Sequence, residues 1–223
     1  YKIQYLLKAE YGIIISVGRV YRLMKSMNLP KMSTVKPFIK NKVDNSIPCT
    51  NVVNQKFTVS QPNLVWVSDI TYVKVNSMNH YICVIIDLFS RKVVHYQTSS
   101  NIDAKLVCDT FKKAYNKRNC PRNLIFHSDR GSQYTAKDFR QLLDRVNVVQ
   151  SFSAKGYPYD NAVAESFFKF LKLEEINRKS FSTKSQLDLS LFEYIEGFYN
   201  RRRPHSANEM LSPNQKEDLY FKE

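Results

Sequence analysis

LVWVSDITYVKV (Leu64–Val75), the polar cluster NSMN (Asn76–Asn79) and YICVIID (Tyr81–Asp87) together decide the fold of this 223-residue chain. Both flanking runs are rich in β-branched and aromatic residues and the Asn/Ser cluster between them is a turn, so two consecutive strands are predicted. Period-two alternation puts Val65, Val67 and Asp69 on one face of the first strand. An acidic side chain inside such a run is costly to bury unless it is paired or bound to a metal. Working outward toward the carboxyl end, Lys92–Gln97 reads as a third strand. Ala104–Tyr115 is an amphipathic helix with Leu106, Val107, Thr110, Phe111 and Ala114 on one side. Asn123–His127 is a short buried strand, Lys137–Arg145 a helix, Val148–Phe152 a strand and Asn161–Leu173 a longer helix. The order β-β-β-α-β-α-β-α is that of an α/β RNase H-like domain, a mixed sheet with helices on both faces.

On the amino side, residues 1–29 show helical spacing at Ile3, Leu6 and Leu7, then at Val17, Val20, Leu23, Met24 and Met27. Tyr11-Gly12 interrupts the pattern, and Ser16 can cap the second helix. Two short helices around a Gly turn resemble a partial helix-turn-helix, with Arg19, Arg22 and Lys25 exposed on the second as candidate DNA contacts. A helical hairpin with a solvated basic face is the equal alternative. Pro30, Pro37 and Pro48 among Lys, Ser, Thr and Asn mark a linker. The expected division is a helical segment at 1–30, a basic linker at 31–60, the α/β core at 61–175, and a C-terminal helix and basic tail at 176–223. The last helix is expected from Lys184 to about Tyr199, ending in Arg201-Arg202-Arg203-Pro204.

Hydrophobic residues at 43% and aromatics at 13% describe an ordered globular chain. The net charge of +14 and pI of about 9.6 favour a polyanionic partner, because Lys and Arg that neutralise phosphates release counterions. Residues 1–60 carry ten Lys/Arg against two Asp/Glu, and residues 61–175 sixteen against eleven. The surplus therefore lies at the amino end, while the core mixes positive balance with many carboxylates, as suits a basic surface around an acidic metal site. The four cysteines contain no C-x-x-C pair, which suggests neither a disulfide framework nor a zinc knuckle and fits a reducing cytoplasm. No signal peptide and no apolar run near ~18 residues is visible, so no membrane partner is expected. Beginning at Tyr1 inside a helical pattern fits a fragment or the downstream part of a longer product.

Phosphoryl transfer on a nucleic acid needs attacking and leaving oxygens held in line, each beside a divalent cation, and such hard cations take carboxylate ligands. Three residues are candidates. Asp69 lies inside the first strand, Asp129 opens the polar turn after Leu124–Ser128, and Glu165 sits one turn into the helix that Asp160 or Asn161 can cap. That helix divides into a core stripe (Ala164, Phe167, Phe168, Leu171) and a polar edge (Asn161, Glu165, Lys169, Lys172), which presents Glu165 to a metal and the lysines to a phosphate backbone. Taken singly, an Asp ending a strand is usually a turn residue and a helical Glu a solvated one. Their combination is far more specific.

Four motifs carry a resemblance: W-x-x-D-I-T-Y (Trp66 to Tyr72), D-L-F-S-R-K-V-V (Asp87 to Val94), H-S-D-R-G-S-Q-Y (His127 to Tyr134) and K-G-x-x-x-D-N-A-x-A-E-S-F-F (Lys155 to Phe168). With Tyr199-Asn200, Arg203-Pro204-His205 and Ser212-Pro213, they closely resemble the integrase-like transposases of the insertion-sequence-three family, from about Gly12 to Pro213. The resemblance implies that Asp69, Asp129 and Glu165 are catalytic and metal-binding, the last two separated by the family's thirty-five residues. It also implies two Mg²⁺ or Mn²⁺ ions, and strand cleavage followed by 3′-hydroxyl attack on another phosphodiester. The implied partners are DNA (element ends and target), further copies of the chain on that DNA, and an upstream helix-turn-helix product, this chain being the second-frame product. The implied location is the cytoplasm, associated with the nucleoid. Lys155, Lys169 and Lys172 are then candidate phosphate contacts, and Asn161 either hydrogen-bonds near Glu165 or caps the helix. His127 either orients a ligand or water or is a strand-end histidine hydrogen-bonded to backbone, Trp66 is a core or loop anchor rather than a base-stacking platform, and Arg201–Arg203 hold DNA or form a solvated cluster. An RNase H-like nuclease needs the same carboxylates but would not join ends. A DNA-binding remnant of a decayed element would do neither. A retroviral-type integrase is disfavoured, since no His-His-Cys-Cys zinc pattern occurs.

Overall fold

Strands β1 (Val65–Val75) and β2 (Met78–Asp87) form the central hairpin of the computed structural model, which describes residues 1–27, 49–154 and 158–222. The proline-marked linker from Pro30 to Pro48 and the candidate Lys155 lie outside the described residues. The hairpin turn is tighter than expected. Only Asn76 (φ 46°) and Ser77 (φ 67°) make it, and Met78, Asn79 and His80 already pair with Val75, Lys74 and Val73. Two consecutive left-handed residues give a turn whose twist matches the strands, so no longer loop is needed.

β3 (Val93–Ser99) pairs antiparallel with β2, while β4 (Ile125–Ser128) and β5 (Val149–Phe152) add in parallel on the other side of β1. The sheet order is β3-β2-β1-β4-β5. Helices α3 (Ala104–Lys117), α4 (Ser132–Thr135) and α5 (Lys137–Arg145) accompany one face. There Trp66, Phe111, Phe126, Tyr134, Phe139 and Leu143 form one buried cluster. Trp66 is fully buried, donates to Asp87 Oδ2 at 3.3 Å and meets Phe111 edge-on, so of the core or loop anchor expected it is the core one. On the opposite face α6 (Ala162–Glu174) buries Ala164, Phe167, Phe168 and Leu171 against Val65 and Val67. The alternation read in β1 thus separates the two layers, and it places Asp69 on the α6 side.

The carboxyl-terminal region is packed onto the core and is no loose tail. α7 (Lys184–Phe192) runs on as a π-helical segment, Glu193–Tyr199, whose Tyr194, Ile195 and Tyr199 join the same cluster as α6. Asn200 exchanges hydrogen bonds with the backbone of Val93 (3.0 and 3.1 Å), blunting the exposed edge of β3. Of the three arginines, Arg201 and Arg202 are exposed, but Arg203 is buried in a bidentate pair with Glu174. A final helix, α8 (Pro213–Tyr220), had no expectation attached to it; a Ser212/Gln215 capping box starts it. Part of the supposed linker is also core. Val53 is buried, and Thr50 accepts a backbone hydrogen bond from Phe152.

At the amino end α1 (Lys2–Tyr11) closes on Gly12 (φ 66°), and α2 (Val17–Ser26) is capped by Ser16, whose side chain accepts from Arg19 N at 3.2 Å. Arg19, Arg22 and Lys25 are exposed on α2 as expected. The Lys2 ammonium lies 5.3 Å from the centre of the Phe170 ring, bringing the helical segment against α6. Among the described residues no helix is long and apolar enough to cross a membrane.

Candidate active site

β1 and β4 pair only from Val65/Ile125 to Val67/His127. The pairing ends there, toward the carboxyl ends of the two strands, which is where open α/β sheets place ligands. Asp69 stands on β1 just past the end of that pairing, and Asp129 follows the last residue of β4. Glu165 is in the first turn of α6, the helix packed on Asp69's face of the sheet.

Asp69 feels the charges of both other acidic groups. Burial pushes the Asp69 carboxyl from 3.8 up to about 7, and the charges of Asp129 and then Glu165 push the same way. The Ile70 N–H, 2.8 Å from Asp69 Oδ1, and the Lys172 ammonium oppose the shift without cancelling it. Asp129 reaches solvent, but the protein around it still raises its carboxyl, against a 2.9 Å hydrogen bond from Gly131 N. Among the described residues no three acidic, His or Cys side chains are drawn together tightly enough to enclose a metal ion. Three carboxylates would make an all-oxygen donor set, the kind a hard divalent cation takes.

The other candidates divide. Lys169 is exposed on α6. Lys172 is half-buried, its ammonium 5.3 Å from the Tyr72 ring centre, and burial lowers its pKa while Asp69 raises it. Asn161 corrects the expected polar edge. It is buried, makes no capping bond, and donates from Nδ2 to the Ser68 carbonyl at 3.0 Å, so it is no surface contact for DNA. The physical reason is that the chain enters α6 through a 3₁₀ turn (Pro158–Asn161), which turns Asn161 inward toward β1.

His127 is a buried strand-end histidine, but its ring is held by serine hydroxyls where backbone partners were expected. Its ring sits between Ser151 Oγ (2.9 Å) and Ser153 Oγ (3.3 Å), and burial lowers its pKa to about 4, which keeps it neutral. Sequence reasoning missed the role of Asp160, read only as a cap. Its carboxylate accepts from Asn51 Nδ2 (2.8 Å), Gln55 Nε2 (2.8 Å) and Ala154 N (2.7 Å), tying residues 51–55 to the entrance of α6. No local pattern signals this, since the partners lie 105 and 109 positions away.

Gly131 shows how closely Asp129 is fitted. A Cβ there would lie 2.7 Å from Gln133 Oε1 and 3.0 Å from Asp129 Oδ1. The Gln133 side chain can swing away, whereas Asp129 Oδ1, held by Gly131 N, would have to give by a few tenths of an ångström. Gly131→Ala is therefore expected to lower catalytic turnover about 10-fold or more while moving the melting temperature by only a few degrees. A parallel measurement of rate and thermal unfolding checks this, and an unimpaired rate would show that Asp129 needs no fixed position.

Sheet order and two-sided helical cover place the chain in the RNase H-like class. Residues 59–158 match the family described as Integrase core domain, and residues 146–213 match a second family of the same description. The fold is similar to that of the HTLV-2 integrase catalytic core domain in complex with magnesium, with TM-score 0.55 and 15% identity over 70% of this chain and 97% of that one. In sequence the chain is 41% identical over 203 residues to the transposase for insertion sequence element IS904 of Lactococcus lactis, covering 91% of this chain and 80% of that protein. It is 44% identical over 168 residues to transposase InsF for insertion sequence IS3A of Escherichia coli K12, covering 75% of this chain but only 58% of that relative's length. The chain belongs to the insertion-sequence-three family of transposases, DNA polynucleotidyl transferases with an integrase core.

Proposed function

We propose that Asp69, Asp129 and Glu165 are the metal-holding catalytic carboxylates with which this DDE transposase cuts element ends and joins their 3′-hydroxyls to target DNA. One observation supports the reading: Asp69, raised to about 7 first by burial, also feels the charges of Asp129 and Glu165, which come from separate parts of the chain. Functional sites are where such costly coupling is retained. Two divalent ions bound there would activate the attacking oxygen and neutralise the leaving one. Asp69, on a strand buried in the sheet, supplies the most rigid ligand, and Asp129 holds its carboxylate through Gly131 N. Glu165 reaches in from α6, so movement of that helix would open or complete the site. Lys172 offsets part of the acidic charge beside Asp69, and exposed Lys169 continues the same helix outward as a phosphate contact.

DNA is the partner that the charge of +14 and the family membership support. The α2 face bearing Arg19, Arg22 and Lys25 would hold the element end, and Lys155 would add a phosphate contact. Assembly of several copies on DNA, a cytoplasmic and nucleoid-associated location, and association with an upstream helix-turn-helix product belong to the same proposal. So does the division into an end-binding helical segment, a linker, the catalytic core and a carboxyl-terminal helical region.

The test incubates the protein with Mg²⁺ and an oligonucleotide carrying the element's terminal repeat, and scores joined products on a gel. Joining by the native chain and a loss of at least about 10³-fold in Asp129→Asn are expected. Joining that survives the substitution would sink the site assignment, and degradation without joining would favour a nuclease.

A further inference from the structure

Ser68 is fully buried and immediately precedes Asp69, with its side chain on the opposite face of β1. Its hydroxyl donates to the Val84 carbonyl on β2 at 2.8 Å and lies 2.8 Å from the Tyr134 hydroxyl. Since the single Ser68 proton is committed to Val84, the Tyr134 hydroxyl donates to Ser68 Oγ. Tyr134 is on α4, five residues after Asp129. The Ser68 carbonyl accepts from Asn161 Nδ2 at 3.0 Å, and Asn161 is four residues before Glu165, at the mouth of α6. The carbonyl has room for that bond because β4 ends its pairing with β1 at Val67.

We infer that Ser68 is the junction that sets the spacing of the three carboxylates, with Tyr134 and Asn161 as positioning residues that moor the Asp129 loop and the Glu165 helix to the strand carrying Asp69. This rests on the proposed role of those carboxylates. Each tether is buried: Tyr134 is 1% exposed and Asn161 5%. A buried hydrogen bond loses little to competition with water and fixes direction as well as distance. None of the three residues need touch DNA or metal. They act as the outer shell that orients acidic ligands, and loss of such support typically weakens metal binding about 10- to 100-fold.

Tyr134→Phe removes one hydroxyl and keeps the ring among Phe126 and Phe139. Asn161→Ala removes the second tether. The Mg²⁺ concentration giving half-maximal joining of a terminal-repeat oligonucleotide is measured for both in the full chain, with end binding followed separately in EDTA. Each variant should need about 10-fold more Mg²⁺ with end binding unchanged. Leu187→Ala, buried on α7 and remote from the junction, controls for stability and should leave the Mg²⁺ requirement where it was. The junction is overturned if either tether variant keeps the native Mg²⁺ requirement, or if Leu187→Ala shifts it equally at a comparable loss of melting temperature. Asp69→Asn separates this from failure of the underlying reading. If it still joins ends, the carboxylate assignment is wrong and the junction falls with it. If it is inactive while the tether variants keep the native requirement, only the junction fails.

Discussion

Asp69→Asn will make the metal-free protein more stable at pH 8 while abolishing strand joining. The folded state holds the Asp69 carboxyl at about 7, against 3.8 without its surroundings. The sign follows from proton binding. Between those two values the folded chain binds the proton more tightly than the unfolded one, so raising pH costs stability until the folded carboxyl is fully ionised, above about 7. The cost is then roughly 2–4 kcal/mol, most of it burial and the rest repulsion from Asp129 and Glu165. An asparagine carries no charge and can still accept the Ile70 N–H. For a chain of this length the gain corresponds to roughly 5–10 °C in melting temperature. At pH 4 the folded carboxyl is already neutral, so the advantage of the substitution should nearly vanish. Thermal unfolding in EDTA at the two pH values tests this, and Mg²⁺ at pH 8 should recover stability in the native chain more than in the variant. Equal stability of both proteins at pH 8 would mean that Asp69 bears no such electrostatic load.

The largest loss of stability is expected outside the proposed site, at Glu217 on α8. Its buried carboxylate accepts from Arg118 (2.5 and 3.1 Å), Lys92 (2.9 Å) and Ser90 (2.9 Å), joining the last helix to the end of α3 and the start of β3. Burial alone would raise its pKa, but Arg118 first and Lys92 second outweigh burial and hold it below the usual 4.5. Glu217→Ala leaves both cations facing a hole. Removing one member of a buried ionic group typically costs about 3–5 kcal/mol, or about 10 °C here. A carboxylate with a depressed folded pKa contributes its full stability above the unfolded value and loses it as pH falls through the folded one. The gap between native and variant proteins should therefore be complete at pH 7 and shrink toward pH 3. Urea titrations at both values measure it, and a cost below about 1 kcal/mol would class the cluster with ordinary surface pairs.

Sequence reasoning recovered the strands and helices of the core because each carries its own periodicity. The alternation of Val65, Val67 and Asp69 and the stripe of Ala164, Phe167, Phe168 and Leu171 are both local signals, and both segregate as read. The family was equally legible, since its motifs lie in short contiguous stretches. Reading was weakest where contacts join distant segments. Arg203 looked like its neighbours Arg201 and Arg202, yet it is buried because Glu174 meets it. The residues around Val53 looked like linker because their partners, Ser151 and Asp160, lie about a hundred positions away.

From the chain order alone came the elements, their faces, the family and the three candidate carboxylates, because side-chain period and motif spacing are properties of neighbouring residues. Tertiary structure alone decided which polar groups turn inward. Asn161, Tyr134 and Glu217 each resemble surface residues along the chain, and only closure of the sheet and helices brings a buried acceptor or counter-charge within reach of each. A polar group removed from water must find its partner through space, and nothing in the local sequence encodes that partner.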